Sequence, residues 1–261
     1  MRFVPLLLAL ALALPGTALA DRWGRPGGLD ATSPFRDTCT YDQNCGAKRV
    51  SDAVLAGSFG VGLASVGLFT LERIPYANSG IEADPVVVME PLVGWTLSTL
   101  PALLSWQFTR NIQKRPRPFT YDPDYIAARE TEEGKLKPAT QRNHNSSFFS
   151  GHTTLSAANF FYLASMMALD EDHRPFAAPL FVGATIGTVI VGASRVQAGY
   201  HFVSDVAVGG LIGAGFGIVG PIFAREVRNR IQAAREEPLT GTNTQQLNEV
   251  RVVFPVIAGT F

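Results

Sequence analysis

Five long runs of residues with almost no charge constrain the fold of this chain more than any other feature. A helix that crosses the hydrocarbon core of a bilayer needs about 20 predominantly apolar residues, and these runs approach or reach that length. Only one run contains a charged residue, Glu90. We therefore predict an all-α fold, a multi-helix transmembrane bundle with five spans. The runs are Val54–Leu71, Val86–Phe108, Thr153–Leu169, Phe176–Ser194 and Val206–Ala224.

The single charge, Glu90, allows two interpretations. A carboxylate inside an apolar helix is costly unless it faces protein or water, which would give Glu90 a functional role. Alternatively the second helix starts near Pro91, because proline is favoured in a first turn, and Glu90 then lies at the polar helix end. We favour the second interpretation.

Gly209, Gly213 and Gly217 recur every four residues in the last run. This spacing places the three glycines on one face of a helix, where the absence of side chains lets another helix approach closely. We therefore expect a close-packed helix contact along this face.

Residues 1–20 have the layout of a secretory signal peptide that is cleaved after Ala20. A basic Arg2 precedes the apolar stretch Phe3–Leu14, and small residues precede the cleavage position. If the segment is not cleaved it is a membrane anchor, and the bundle then has six spans. In both cases the chain from residue 21 onward starts outside the cytoplasm.

Three segments follow the signal peptide. Residues 21–50 are rich in Gly, Pro, Asp and Arg and are predicted to form an exported irregular segment, in which Cys39 and Cys45 either close a small disulfide loop or remain thiols. Residues 51–235 form the predicted helical core. Residues 236–261 form a polar linker and a short apolar C-terminal tail.

Charged flanks indicate the orientation of the bundle. Four arginines, at positions 225, 228, 230 and 235, follow the last run, as expected for a cytoplasmic flank. With five spans and residue 21 outside, helix parity places Arg110–Ser150 and Arg195–His201 on the outer side as well. Long outer loops translocate largely regardless of their charge, so the basic residues of the first loop do not contradict this orientation.

Three polar clusters lie at the outer ends of the runs, around Arg110–Phe119, Ser147–Thr153 and Ser194–Asp205. Taken singly, each has an ordinary structural interpretation as a basic flank, a helix cap or a structural histidine. In the third cluster, however, His201 and Asp205 are four residues apart, which places both side chains on one helix face. Arg195 adds a planar guanidinium that suits an anion, so the cluster resembles part of a phosphate site.

Together the clusters resemble the three-part signature of the type 2 phosphatidic acid phosphatase superfamily, which also includes bacterial acid phosphatases and vanadium haloperoxidases. That signature reads K-x6-R-P, then P-S-G-H, then S-R-x5-H-x3-D. The third part is complete at residues 194–205. The second reads F-S-G-H at 149–152, with Phe149 in place of proline, and the first reads R-x6-R-P at 110–118, with Arg110 in place of lysine. The resemblance implies a transmembrane bundle of the kind found in that superfamily.

The resemblance also implies catalytic roles. His201 is expected to attack phosphorus and form a phosphohistidine, and Asp205 to orient His201 and stabilise its imidazolium. His152 is expected to protonate the leaving oxygen and later to activate water. No metal and no cofactor is expected.

Phosphoryl transfer needs dense positive charge around the equatorial oxygens of the phosphate. Arg110, Arg117 and Arg195 are the expected phosphate-binding side chains. The backbone N–H groups of Ser150 and Gly151, at a helix start, are expected to add donors.

The sequence therefore predicts a phosphatase of the bacterial inner membrane that acts on a lipid phosphate or pyrophosphate from the periplasmic side. Its expected partners are that substrate and the bilayer, while the zero net charge gives no support for nucleic-acid binding. The oligomeric state stays open. The alternatives are a soluble periplasmic acid phosphatase, a lipid phosphotransferase, a vanadium haloperoxidase and a binding or transport protein for phosphate lipids.

Overall fold

A computed structural model of the protein describes residues 46–74, 84–121 and 145–236. The predicted signal peptide, the two cysteines and the C-terminal tail lie outside these described residues.

The described part of the chain is helical and contains no strand, which confirms the predicted all-α class. Each of the five predicted runs lies within one long helix, except that Phe176 belongs to the short 3₁₀ helix that precedes the fourth long helix. The helices are α1 (Gly46–Glu72), α2 (Pro85–Gln113), α3 (Gly151–Leu169), α4 (Ala177–Gln197) and α5 (Val203–Glu236), with short 3₁₀ helices at Pro118–Tyr121 and Arg174–Phe176. Helix α1 begins five residues before the boundary expected at residue 51.

Helix α2 begins earlier than the sequence interpretation placed it. The carboxylate of Asp84 caps the helix by accepting a hydrogen bond from the N–H of Val86 at 2.9 Å, and Pro85 occupies the first position. Glu90 consequently lies in the second turn, where it is only 2% exposed. The favoured start near Pro91 is therefore wrong, and Glu90 is a buried carboxylate that faces protein.

Helix α3 packs against α1, α2 and α4, and more than half of its residues are buried. Glycines let α5 approach the same helix. A Cβ atom on Gly213 would lie 2.1 Å from the carbonyl oxygen of Thr154, and one on Gly217 would lie 2.7 Å from that of Ala158. Since no side chain fits these contacts, the predicted close-packed glycine face is confirmed.

Four of the five long helices are long and apolar enough to cross a membrane, namely Gly46–Glu72, Pro85–Tyr121, Arg174–Gln197 and Val203–Glu236. They expose large apolar side chains, among them Leu63, Leu104, Phe108, Val182, Val189 and Leu211. An exposed apolar surface of this extent is typical of contact with lipid, and it supports a membrane protein. Among the described helices longer than one turn, α3 alone is not a candidate span.

The chain divides into two compact units, and the boundary falls inside α5. The first unit ends at Arg225 and contains the helical bundle. The second unit begins at Glu226, and the structure describes it as far as Glu236. Within this second unit Arg230 pairs with Glu226 at 2.7 Å.

Candidate active site

Polar side chains gather at the end of the bundle where α2 and α4 finish and where α1, α3 and α5 begin. We call this region the polar end. All three sequence clusters contribute to it, as do Ser51 and Asp52 in the first turns of α1.

His201 lies in the short connection between α4 and α5, where Gly199 adopts a left-handed φ of 73°. The imidazole is 3% exposed, and its Nδ1 lies 2.7 Å from the carbonyl oxygen of Ser147. Because a carbonyl oxygen can only accept, Nδ1 carries the proton and the lone pair is on Nε2. Burial lowers the pKa of His201 well below its ordinary value, and the positive charges of Arg117 and Arg195 lower it further. The ring is therefore neutral at physiological pH.

Asp205 does not hold His201 directly, contrary to the expectation from the sequence. Its Oδ2 lies 3.9 Å from Nδ1 of His201, which is too long for a hydrogen bond. The carboxylate instead accepts hydrogen bonds from Arg115 at 2.5 Å, from the Ser147 hydroxyl at 2.5 Å and from the N–H of Phe202 at 2.9 Å. Asp205 is thus linked to His201 through Ser147, whose hydroxyl donates to Asp205 and whose carbonyl oxygen accepts from His201.

Two guanidinium groups, one of them from buried Arg195, lie close to the ring of Tyr200. The Cζ atom of Arg195 lies 4.3 Å from the ring centroid, and that of Arg117 lies 5.3 Å from it. Arg117 also donates to the hydroxyl of Ser146 at 3.2 Å. The Nε atoms of Arg117 and Arg195 are buried and have no hydrogen-bond partner among the described residues. A pair of cations with unmet donors is suited to an anion such as phosphate.

His152, the second residue of α3, contacts a residue of α1. Its Nε2 lies 2.9 Å from Oδ1 of Asp52, and the same oxygen lies 3.7 Å from the guanidinium of Arg195. Burial and the charge of Arg195 lower the pKa of His152 to about 4, although the hydrogen bond to Asp52 opposes this shift. A bound phosphate would oppose the charge of Arg195 and raise this pKa again.

The start of α3 is arranged differently from the expectation. Ser150 caps the helix, and its backbone N–H donates to the carbonyl oxygen of Asp205 at 3.1 Å. That N–H is therefore used within the protein, which corrects its expected role as a phosphate donor. Gly151 lies under Trp106, since a Cβ atom there would be 2.5 Å from the indole ring. Arg110 stacks on the same indole at 5.5 Å.

A family model described as the PAP2 superfamily matches residues 92–228, slightly more than half of the chain. The chain belongs to the PAP2 superfamily. This confirms the resemblance drawn from the three sequence clusters, and membership in the superfamily supports a phosphatase-type activity. No curated protein sequence and no solved structure matches the chain at a significant level.

Within this PAP2 site, sequence reasoning missed three contributors. Arg115 lies two residues before Arg117 in the basic cluster, and its ion pair with Asp205 was not expected. Ser147 lies in the second cluster but received no role. Asp52 gave no signal, because nothing in the sequence relates it to a histidine 100 positions later. Within the described ranges, no group of three or more His, Cys, Asp or Glu side chains is placed to hold a metal ion.

Proposed function

We propose that this PAP2 protein is a membrane phosphatase that removes phosphate from a lipid phosphate or pyrophosphate through a phosphohistidine on His201. One observation carries the proposal. His201 is neutral, has its lone pair on Nε2, and lies within the field of Arg117 and Arg195, whose buried Nε atoms have no hydrogen-bond partner in the part of the chain that the structure describes. A nucleophile beside cations of this kind is what phosphoryl transfer requires.

The reaction proceeds in two displacements. Nε2 of His201 attacks phosphorus, a P–N bond forms, and the bond from phosphorus to the leaving oxygen breaks while His152 donates a proton to that oxygen. Water then attacks the phosphohistidine and gives one proton to His152, so that the P–N bond breaks and inorganic phosphate leaves. Arg110, Arg117, Arg195 and the helix start at Gly151 stabilise the equatorial oxygens, without a metal ion.

The carbonyl oxygen of Ser147 accounts for the choice of nitrogen. As long as Nδ1 donates to this oxygen, attack occurs from Nε2 and the imidazolium that forms keeps its hydrogen bond. The hydroxyl of the same serine donates to Asp205, so the negative charge of that carboxylate lies close to the developing positive charge. Asp205 therefore stabilises the intermediate electrostatically at 3.9 Å rather than by direct contact.

The proposed setting is a bundle of five spans, with Thr153–Leu169 as the buried central one, in a bacterial inner membrane. Helix α3 fits the buried central position because α1, α2 and α4 pack against it. The four arginines in the C-terminal part of α5 support a cytoplasmic position for that part of the helix, and the proposed side for the polar end is therefore the periplasm. The exposed apolar residues, with Leu211 76% exposed, favour this membrane enzyme over a soluble periplasmic phosphatase.

The decisive experiment compares the purified wild-type protein with His201→Ala in detergent, with chelator present, on a panel of lipid phosphates. We expect kcat to fall by at least about 10³-fold in the variant. Radiolabelled substrate should trap an acid-labile phosphoprotein only when His201 is present. His173→Ala, at the other end of the bundle, is the control and should keep its activity. Full activity of His201→Ala, or dependence on added divalent metal, would contradict the proposal.

A further inference from the structure

An apolar groove of about 1060 Å³ lies between α3, α4 and α5. Its lining is almost entirely hydrocarbon, including Val189, Val206 and Leu211, and threonine and glutamine are the polar residues that line it. Two glycines, Gly192 and Gly210, lie along it where the helices approach each other. The volume is comparable to that of pockets that hold small organic ligands, and the composition suits an apolar one.

The groove begins beside the catalytic residues. Thr153, which lines it, directly follows His152 and donates a hydrogen bond to the Ser150 hydroxyl at 2.9 Å. Val203 lines it two residues after His201, and Gln197 lines it two residues after Arg195. The outer end of the groove therefore adjoins the loop that carries the proposed nucleophile.

The groove ends near the middle of the bundle. It follows α4 from Gln197 back to Thr185, which is about 18 Å at 1.5 Å per residue, and it follows α5 from Val203 to Ala214 over a similar length. Phe161 lines its inner end, and this ring packs at 5.9 Å against Phe181, one turn beyond Thr185. The groove thus covers slightly more than half of the roughly 30 Å hydrocarbon core of a bilayer.

These dimensions identify the occupant. A partner helix that crosses the membrane would need an apolar groove along the whole span, whereas this one starts at the catalytic loop and extends only about 18 Å along α4. A hydrocarbon chain of a lipid in the outer leaflet has the matching composition, depth and starting point. We infer that the groove binds the hydrocarbon chain of the lipid whose phosphate is attacked by His201, and that its depth sets the preferred chain length. This inference rests on the proposed phosphatase function.

Filling the groove at two depths tests the inference. Ala207 lies about 6 Å along α5 from Val203, and Ala214 lies about 17 Å along it. Ala207→Trp should block all but short chains, whereas Ala214→Trp should block only the inner end. Ala56→Trp, on the exposed surface of α1, is the matched control.

The measurement is kcat/KM on alkyl phosphates of roughly four to sixteen carbons, since each methylene that leaves water strengthens binding by up to about fourfold. In wild type and in Ala56→Trp we expect kcat/KM to rise with chain length and then to level off. The ratio of long-chain to short-chain kcat/KM should fall at least about tenfold in Ala207→Trp. In Ala214→Trp, kcat/KM should rise with chain length up to intermediate chains and level off at a shorter chain than in wild type.

The outcomes separate the inference from the function on which it rests. If wild type hydrolyses no phosphate ester of any length, the proposed function is wrong. Wild type could be active without any dependence of kcat/KM on chain length, or both groove variants could have the same chain-length profile as Ala56→Trp. In either case the proposed phosphatase function is retained and the groove assignment is wrong. If one tryptophan variant does not fold, the other still shows whether the cut-off moves with depth, and an unmoved cut-off overturns the inference.

Discussion

The two ends of the bundle each bury arginine and carboxylate side chains, but they use them differently. At the end opposite to the site, the carboxylate of Glu90 accepts a hydrogen bond from Nε of Arg225 at 3.1 Å and forms an ion pair with Nη2 of Arg73 at 3.5 Å. Arg225 also donates a hydrogen bond to the carbonyl oxygen of Leu169. We call these three charged residues the Glu90 cluster. There, both cations converge on one anion that belongs to the protein.

At the polar end, neither Arg117 nor Arg195 makes a short ion pair with a carboxylate among the described residues. Arg115 alone makes a short ion pair, with Asp205, whereas Arg195 lies 3.7 Å from a partly exposed Asp52 and Arg117 contacts serine and tyrosine. The two ends therefore differ in whether the arginines hold helices together or, as we propose, bind an external anion. We therefore expect changes in the Glu90 cluster to reduce stability and changes at Arg117 or Arg195 to reduce activity.

Among variants that test the difference between the two ends, the largest expected effect comes from Arg195→Lys. Lysine keeps the charge but loses the planar set of donors, so stabilisation of the transition state should weaken and kcat/KM should fall by about 10² to 10³-fold. Thermal unfolding in detergent should change little, because among the described residues the carboxylate paired with this guanidinium, Asp52, is 3.7 Å away and partly exposed. Steady-state kinetics and an unfolding scan on the same preparation measure both quantities.

The same substitution in the Glu90 cluster, Arg225→Lys, is the matched control. It removes the Nε contact to buried Glu90, and we expect Tm to fall by about 5 °C while kcat/KM changes by less than about threefold. If Arg225→Lys reduced activity as strongly as Arg195→Lys, the proposed division between the two ends would be wrong.

A smaller effect is expected from Asp52→Asn. The carboxylate of Asp52 raises the pKa of His152 against the effects of burial and Arg195, so its loss should lower that pKa further. Less of the protonated acid is then present at a given pH, and the basic limb of the pH profile of kcat/KM should move to lower pH. With an alkyl phosphate, which has a poor leaving group, we expect a loss of about tenfold.

The leaving group distinguishes this role from general damage. p-Nitrophenyl phosphate needs little protonation, so its hydrolysis should be reduced much less by Asp52→Asn, and Asp52→Glu should restore part of the alkyl phosphatase activity. Glu72→Gln, at the other end of α1, should affect neither substrate. Equal losses on both esters would show that Asp52 does not act through His152.

Most of the fold was predictable from hydrophobic runs, whereas the start of α2, the helix that carries buried Glu90, was predicted wrongly. The runs located all five helices because uncharged stretches of that length have few other structures. Glu90 was misplaced because the sequence does not show its partners, Arg73 and Arg225, which lie 17 and 135 positions away. A helix start can be read locally, but a buried ion pair depends on tertiary contacts.

The site was predictable as a set of residues but not as a network. Motif spacing brought His152, Arg195 and His201 together, yet four-residue spacing also suggested a direct contact between His201 and Asp205 that the structure does not contain. Spacing places two side chains on one face, and competing donors then decide the bonds. Here Arg115 and Ser147 donate hydrogen bonds to the carboxylate of Asp205. The backbone carbonyl oxygen of Ser147 accepts the hydrogen bond from Nδ1 of His201.

The smallest expected effect concerns His173, near the Glu90 cluster. Its Nδ1 lies 2.9 Å from Asp170 and its Nε2 lies 3.4 Å from Glu72. The hydrogen bond to Asp170 raises the pKa of His173 above 6.5 despite burial, while the hydrogen bonds from His173 outweigh burial and lower the pKa of Asp170 below 3.8. The stabilisation from His173 is thus fully present below pH 6.5 and is lost as pH rises through the raised value. The contribution of Asp170 is lost only as pH falls below about 4.

Comparison of wild type with His173→Gln should therefore show a difference in Tm of no more than about 3 °C, because the pair is partly exposed and screened. The difference should be largest between roughly pH 4 and 6.5 and should vanish at alkaline pH. Phosphatase activity at one pH should be the same in both proteins. A difference in Tm that grew with rising pH would mean that His173 is stabilised in its neutral form, and a change in kcat/KM would mean that this end of the bundle takes part in catalysis after all.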